Sequence, residues 1–150
     1  MEDLIRTPSY RASAREFVFG LLFAKAFAPN EDADAVYACE LENADAEFGD
    51  QIDYVHDTYF GVTDNLAEID EKIASAAVGW TLSRLSKVSL AIMRLSVYEM
   101  MAVNDVPKRV SLNEAVELAK KYDDEKASAF INGVLNSVAK TLPDRDCDLT

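Results

Sequence analysis

Three arginines near the N-terminus are the residues of this sequence that are best suited to bind an anion. Arg11 and Arg15 are four residues apart, so a helix would place them on one face, and Arg6 lies just upstream. Guanidinium groups donate paired hydrogen bonds to phosphate oxygens, and the neighbouring Tyr10 could stack on a nucleotide base. The spacing therefore predicts either a small phosphate-binding face or an ordinary solvated helix surface.

Residues that could support catalysis are scarce. His56 is the only histidine, and Asp53 and Asp57 would share its helix face, which amounts to half of a dimetal site. No second histidine motif completes such a site, and Cys39 and Cys147 match no metal spacing. The sequence also lacks a glycine-rich phosphate loop, a G-x-S-x-G motif and an H-E-x-x-H motif. We therefore expect no catalytic residues, no metal and no cofactor, so the chain is predicted not to be an enzyme.

The charges are segregated along a chain whose net charge is −12. Residues 4–25 contain four bases and one acid, whereas residues 26–75 contain fourteen acids and one base. This pattern predicts a polarised surface, on which charges more than about 8 Å apart are largely screened at physiological salt. The acidic N-terminus does not resemble a signal peptide, and no apolar stretch approaches the length of a membrane span. We expect a cytoplasmic protein with no membrane partner.

The elements that must position these side chains are predicted to be helices. Apolar residues make up 49% of the chain, and only five glycines and four prolines are present, which favours helices over a turn-rich sheet. The first helix should begin at Pro8, with Thr7 as its cap, and end before Pro29. A second, acidic helix would follow with Asn30 as its cap.

The middle of the chain has the most regular apolar spacing. A heptad pattern predicts one long third helix over residues 52–76, which would serve either a coiled-coil dimer or a bundle within one chain. The fourth helix, at about residues 85–103, is apolar on nearly every side and is therefore expected at the centre of a bundle. Arg94 and Glu99 interrupt it, so we place them at its rim or in pairs with other side chains.

Two further helices complete an all-α fold of six to seven helices. Ser111 and Glu114 form a capping box that predicts the start of one helix. Asp123 or Asp124 would begin the last helix, in which Gly133 predicts the close approach of another backbone.

Several motifs of the second half occur in a characteristic order. They are LSKV at residues 85–88, AIMRLSVYE at 91–99, DVP at 105–107, NEAVELAK at 113–120 and FINGVL at 130–135. Over about residues 80–139 the sequence thereby resembles the NusB family of bacterial transcription antitermination factors. A weaker match covers residues 11–22, where Arg11 matches the family's first arginine and Ala14-Arg15-Glu16 matches its A-R-E motif. Ala12 and Ser13 stand where the family usually has more basic residues.

This resemblance implies a NusB-like protein without catalysis, built as two small packed helical bundles. The bundles would span about residues 8–79 and 80–142, and we expect the tail, residues 143–150, to be disordered. The resemblance also implies binding to the boxA element of ribosomal RNA leader transcripts, together with NusE, a ribosomal protein of the small subunit. The sequence does not identify the residues that contact NusE, and residues 80–89 are one candidate region for that contact. With other Nus factors, the heterodimer would help RNA polymerase read through terminators.

An aromatic residue near the end of the chain extends the predicted RNA surface. Phe130 matches an aromatic that contacts RNA in this family, and stacking on a base is typically worth about 1–3 kcal/mol. It also fits the apolar stripe of the last helix, so RNA contact requires that its ring face solvent. Lys126, four residues earlier, would lie on the same side and add a phosphate contact, an inference from charge alone. The predicted RNA-binding residues, expected to form one continuous strip, are Arg6, Arg11, Arg15, Lys126 and Phe130.

Two other functions stay open at this point. The chain could be a helical protein–protein interaction module or a homodimer in which RNA binding is weakened or lost, as the missing arginines and the acidic middle segment suggest. It could also be a domain detached from an RNA methyltransferase, because NusB-like bundles occur fused to such enzymes. The chain ends soon after its last helix, so we expect no catalytic domain.

Overall fold

The computed structural model describes residues 10–42 and 48–149, which form seven α-helices. These are α1 (Tyr10–Phe27), α2 (Ala33–Glu42), α3 (Ile52–Asp64), α4 (Leu66–Ala76), α5 (Lys87–Ala102), α6 (Lys108–Tyr122) and α7 (Glu125–Thr141). No strand occurs within these ranges, so the all-α prediction is confirmed. None of the helices described combines the length and the apolar character needed to cross a membrane. The predicted helix start at Pro8 with Thr7 lies outside the described residues.

The helix α5 is the centre of the molecule, as its apolar sequence predicts. It packs against α1, α3, α4, α6 and α7, and side chains such as Ile92 and Leu95 are fully buried. Burying an aliphatic side chain of this size stabilises a fold by about 1.5–3 kcal/mol. Buried apolar residues from these six helices form one continuous cluster. Because α5 packs against helices that come before residue 79 and against helices that follow it, the division of the fold into two bundles near that residue stays a prediction.

The single third helix predicted over residues 52–76 is wrong, because the chain breaks into α3 and α4 at Asn65. The backbone of Asn65 leaves helical geometry, and its side-chain amide donates a 2.7 Å hydrogen bond to the carbonyl oxygen of Gly61. Both helices still bury the apolar face that the heptad spacing marks. That face packs inside this chain's own core, which fits the bundle rather than the coiled-coil dimer; its fully buried members are Val55, Tyr59, Val62, Ile69 and Ile73.

The close backbone approach that the sequence predicts at one glycine occurs at another. Gly133 is exposed, and nothing lies within 4 Å of the place where a β-carbon would stand, so the predicted close approach at this residue is wrong. The close approach occurs instead at Gly61 in α3, where a β-carbon would overlap the ring of Tyr98. The absence of a side chain at Gly61 therefore lets α3 and α5 pack closely.

The starts of the last two helices test the capping predictions. Ser111 and Glu114 do not begin α6, because the helix starts three residues earlier at Lys108, after Pro107. Ser111 instead lies within α6, where its side chain is buried and hydrogen-bonds to α5. The start of α7 is as predicted, since the carboxylate of Asp124 accepts a 2.8 Å hydrogen bond from the amide of Ala127.

The tail after α7 folds back onto α5, in contrast to the disorder expected for residues 143–150. It contains a short 3₁₀ turn, Asp146–Asp148. The guanidinium group of Arg145 donates to the carbonyl oxygens of Val103 at 2.9 Å and Val106 at 2.7 Å. These carbonyls lie at the C-terminal end of α5 and just beyond it, where cationic donors are favourable. Thr150 lies outside the described residues.

Candidate nucleic-acid interface

Arg11 is the described arginine of α1 that remains partly accessible to solvent. Its guanidinium carbon lies 4.3 Å from the ring centroid of Tyr54, and its Nε donates to the side-chain oxygen of Gln51. The two terminal nitrogens face the carboxylate of Asp105, at 3.4 and 3.3 Å. The start of α3 and the loop after α5 therefore hold the side chain in one orientation, with 27% of it exposed.

Arg15 has a different environment, which corrects its expected place in a solvated phosphate-binding face. The residue is only 4% exposed, and its Nε donates to Oε2 of Glu99 at 2.8 Å. A second carboxylate, that of Glu114, lies 3.5 Å from Nη1. Because its charge is neutralised inside the protein, Arg15 acts in the described structure as a tie between α1, α5 and α6. Arg6 lies outside the described residues.

Glu99 is the acceptor at the centre of a buried polar network that joins four helices. It is fully buried and accepts hydrogen bonds from Arg15, from the hydroxyl of Tyr54 and, at 2.8 Å, from the hydroxyl of Ser111. Burial and the negative charge of Glu99 raise the pKa of Tyr54 far above its ordinary value. Burial is the largest single influence and lowers the pKa of Arg15. The charges of Glu99, Tyr54 and Glu114 and the hydrogen bond to Glu99 together outweigh burial, so the net pKa of Arg15 is raised.

Sequence reasoning placed Glu99 in a pair or at a rim without naming its partner. The signal was a carboxylate within a helix that is otherwise apolar on nearly every side. Arg94, another charged residue of that helix, also forms a pair, donating from Nε and Nη2 to the two carboxylate oxygens of Asp70 at 2.8 and 2.9 Å.

The glutamate of the A-R-E motif is also engaged within the fold. Glu16 accepts hydrogen bonds from the ammonium group of Lys121 at 2.7 Å and from the hydroxyl of Tyr122. Burial alone would raise the pKa of Glu16, but these two bonds and the charge of Lys121 together outweigh burial, and the pKa is lowered. The motif thus fastens α1 to α5 through Arg15 and to α6 through Glu16.

Phe130 and Lys126 lie on α7, as the sequence predicts. Phe130 is half-buried against the core, and its ring meets that of Trp80 edge-on with the centroids 5.3 Å apart. Trp80 is 55% exposed, so the two rings form an aromatic surface that solvent reaches. Lys126 is exposed. Sequence reasoning did not assign Trp80 to an RNA-binding aromatic pair.

The structure does not bring Arg11 and Phe130 into one set of contacts. Arg11 pairs with Asp105, just beyond the C-terminal end of α5, a helix of 16 residues and so about 24 Å long. The turn before α7 is tied to the other end, since Asp123 accepts a 3.2 Å hydrogen bond from the hydroxyl of Ser89. Among the described residues, Arg11 and Phe130 therefore lie on two separate surfaces, one near each end of α5.

A groove beside Arg11 is lined by negatively charged side chains. It runs between α3 and the end of α5, and its lining includes the carboxylates of Asp50, Asp53 and Asp57. His56 belongs to α3 as well, but its ring meets the rings of Tyr37 and Phe60. Among the described residues no group of three potential ligands is arranged to hold a metal ion.

The chain is similar in sequence to a family of known proteins. The sequence model of the NusB family matches residues 12–140. The transcription antitermination protein NusB of Clostridium perfringens is 39% identical over 133 residues, which cover 88% of this chain and 98% of that protein. The NusB of Geobacter sulfurreducens is 36% identical over 137 residues, covering 90% and 97%.

Solved structures show the same similarity in three dimensions. NusB from T. maritima superposes with a TM-score of 0.77 at 34% identity, covering 91% of this chain and 93% of the other. A crystal structure of the antitermination factors NusB and NusE in complex with dsRNA contains a chain that superposes with a TM-score of 0.80 at 27% identity. That alignment covers 89% of this chain and 98% of the other.

Proposed function

The chain belongs to the NusB family, and from that premise we propose that it is a transcription antitermination factor that binds RNA together with NusE and catalyses no reaction. The RNA is of the boxA type found in ribosomal RNA leader transcripts. Other Nus factors and RNA polymerase are its further partners. The protein acts in the cytoplasm, where bacterial transcripts are made.

One observation carries this proposal. The chain aligns over almost its full length with a protein that was crystallised as NusB together with NusE and dsRNA. The two chains agree in fold as well as in extent, which supports the same kind of complex for this chain. The buried network around Glu99 supports the same function indirectly, because it fixes α1 and thereby the position of Arg11.

We assign the RNA contacts to two surfaces. Arg11, with Arg6 upstream, supplies cations near the start of α1, whereas Lys126 and Phe130 supply a cation and a ring on α7. Guanidinium groups bind phosphates, and an accessible ring can stack on a base. Arg15 supports these contacts by positioning α1 and does not itself touch RNA.

Fluorescence anisotropy with labelled boxA RNA tests the proposal. Titrations are made with and without NusE, at about 50 and 200 mM salt, and a scrambled RNA of equal length serves as the control. We expect NusE to tighten binding to boxA RNA more than to the scrambled RNA. We also expect affinity to fall with salt, by a slope of about 0.7 for each phosphate contacted. The absence of any NusE-dependent gain would overturn the proposal.

A second function is favoured by the state of the arginines in α1. Arg15 is buried in an ion pair and Arg11 faces Asp105, so both described arginines of that helix already meet a carboxylate. This observation suits a homodimer or a protein–protein interaction module with weakened RNA binding. Light scattering on the samples used for anisotropy distinguishes the two functions, because a stable dimer that ignores boxA RNA would favour the second.

A further inference from the structure

The contact between Arg11 and Asp105 has the geometry of an arginine bound to an oxyanion. Nη1 donates to Oδ1 at 3.4 Å, and Nη2 donates to Oδ2 at 3.3 Å. Two parallel N–H···O bonds to two oxygens of one group form the arrangement in which arginine binds phosphate as well as carboxylate. In this structure the two outward donors of Arg11 are therefore occupied by a side chain of the same protein.

The rest of the Arg11 side chain is fixed independently of Asp105. The guanidinium plane lies over the ring of Tyr54, and Nε is bound by Gln51. Exchange of the carboxylate for another oxyanion thus requires no reorientation of the arginine. Asp105 is also well placed to leave, because 70% of its side chain is exposed and it stands in the loop between α5 and α6.

We propose that Asp105 competes with RNA for Arg11, its carboxylate occupying the position that a backbone phosphate takes when RNA binds. The inference rests on the RNA-binding function proposed above and names a regulator of that site. Asp50, Asp53 and Asp57 line the groove beside Arg11, between α3 and the end of α5, and repel a phosphate from within that groove. A phosphate therefore reaches the arginine from the solvent side, where Asp105 stands.

The strength of the competition follows from the exposure and length of the contact. Strong charge-assisted bonds measure about 2.7–2.9 Å, and this contact is longer on both arms. An ion pair with so much solvent around it reduces the affinity of a competing anion by about two- to five-fold. Asp105 therefore weakens RNA binding without abolishing it.

The test compares Asp105→Asn with Glu68→Gln, a matched loss of one negative charge at an exposed residue of α4. Each protein is titrated with labelled boxA RNA in the presence of NusE at two salt concentrations. We expect Asp105→Asn to tighten binding by about two- to five-fold and to steepen the salt dependence by up to about 0.7 in slope. Glu68→Gln should change affinity by less. Circular dichroism verifies that both variants keep the helical content of the wild type.

A double variant separates a local effect from a general effect of charge. In a background of Arg11→Ala, the gain from Asp105→Asn should disappear, because the site of competition no longer exists. A gain that persists in that background, or that equals the effect of Glu68→Gln, overturns the competition while leaving the proposed function intact. Failure of the wild type and the variant alike to bind boxA RNA with NusE overturns the proposed function, and the competition with it.

Discussion

The guanidinium group of Arg15 and the carboxylate of Glu99 form an ion pair that is closed to solvent, with 2.8 Å between Nε and Oε2. The two side chains are 5% and 1% exposed, and they join the first helix of the described structure to the central one. Hydrogen bonds from Tyr54 and Ser111 satisfy other lone pairs of the carboxylate. A buried charge pair is tolerated in a core only when it is satisfied in this way, so the network depends on each of its members.

Replacement of Glu99 by glutamine should destabilise the fold severely. The substitution preserves the shape but leaves the guanidinium group of Arg15 buried with only the more distant Glu114 as a counter-charge. Removing one partner of a buried ion pair costs about 3–5 kcal/mol. Urea denaturation followed by circular dichroism should therefore show a much lower free energy of unfolding for Glu99→Gln.

The matched control for that variant is Glu117→Gln on α6. The Glu117 side chain is 68% exposed and pairs only loosely with Lys120, at 3.6 Å. Its loss should change the free energy of unfolding by no more than about 0.5 kcal/mol. Equal stabilities for the two variants would contradict a structural role for the Arg15–Glu99 pair.

Two glycine substitutions should have opposite effects on stability. Gly61→Ala forces a methyl group into the ring of Tyr98, and overpacking of this kind typically costs about 1–3 kcal/mol. Gly133→Ala meets open space on an exposed helix face and should stabilise α7 by up to about 1 kcal/mol. The measurement is the urea midpoint of each variant. Two shifts of the same sign would show that the close packing is assigned to the wrong glycine.

Much of the fold is predictable because helix burial follows a local periodicity. Most of the side chains that the apolar spacing marks, such as Ile69 and Ile92, are buried in the structure. The helix boundaries are less predictable, because they depend on single polar groups. The helix is interrupted at Asn65 within a continuous apolar pattern, where the side chain bonds to the preceding turn, and no heptad count contains that information.

The candidate site is harder to predict because it depends on distant partners. Arg11 and Arg15 share a helix face, as their spacing requires, yet one is partly exposed and the other is buried. The difference arises from Glu99, 84 residues further along the chain than Arg15, and from Asp105, 94 residues beyond Arg11. Spacing within one helix can place side chains on a common face, but it does not reveal which partner packs over them.

The tail should make stability depend on pH through Asp148. Burial alone would raise the pKa of Asp148. Hydrogen bonds from the amides of Lys108 and Arg145, together with the hydrogen bond and charge of the Arg145 guanidinium group, outweigh burial, and the pKa of Asp148 is lowered. A lowered folded-state pKa means that the stabilisation is present above about pH 4 and is lost as the pH falls through the folded-state value. The difference in unfolding free energy between wild type and Asp148→Asn should therefore be constant near neutral pH and shrink below about pH 4.

Asp144→Asn is the control for this effect, since the Asp144 side chain is 64% exposed and pairs with the ammonium group of Lys108 at the surface. The difference in unfolding free energy between Asp144→Asn and wild type should be small at every pH. Urea titrations at a series of pH values between neutral and acidic measure all three proteins. A difference for Asp148→Asn that does not change with pH would mean that the tail is held by contacts other than this carboxylate.

The ring contact between Trp80 and Phe130 provides a direct optical test of RNA binding at α7. Trp80 is the only tryptophan of the chain, is more than half exposed, and lies with its ring centroid 5.3 Å from that of Phe130. A base that stacks on Phe130 changes the surroundings of the indole, so titration with boxA RNA should change the Trp80 emission. Phe130→Ala should suppress that change and weaken binding by about 1–3 kcal/mol. Phe60→Ala, which removes a ring in the aromatic cluster of α2 and α3, should leave the emission response in place. RNA binding that leaves the emission of wild-type Trp80 unaltered would remove Phe130 from the interface and confine the RNA to the surface around Arg11.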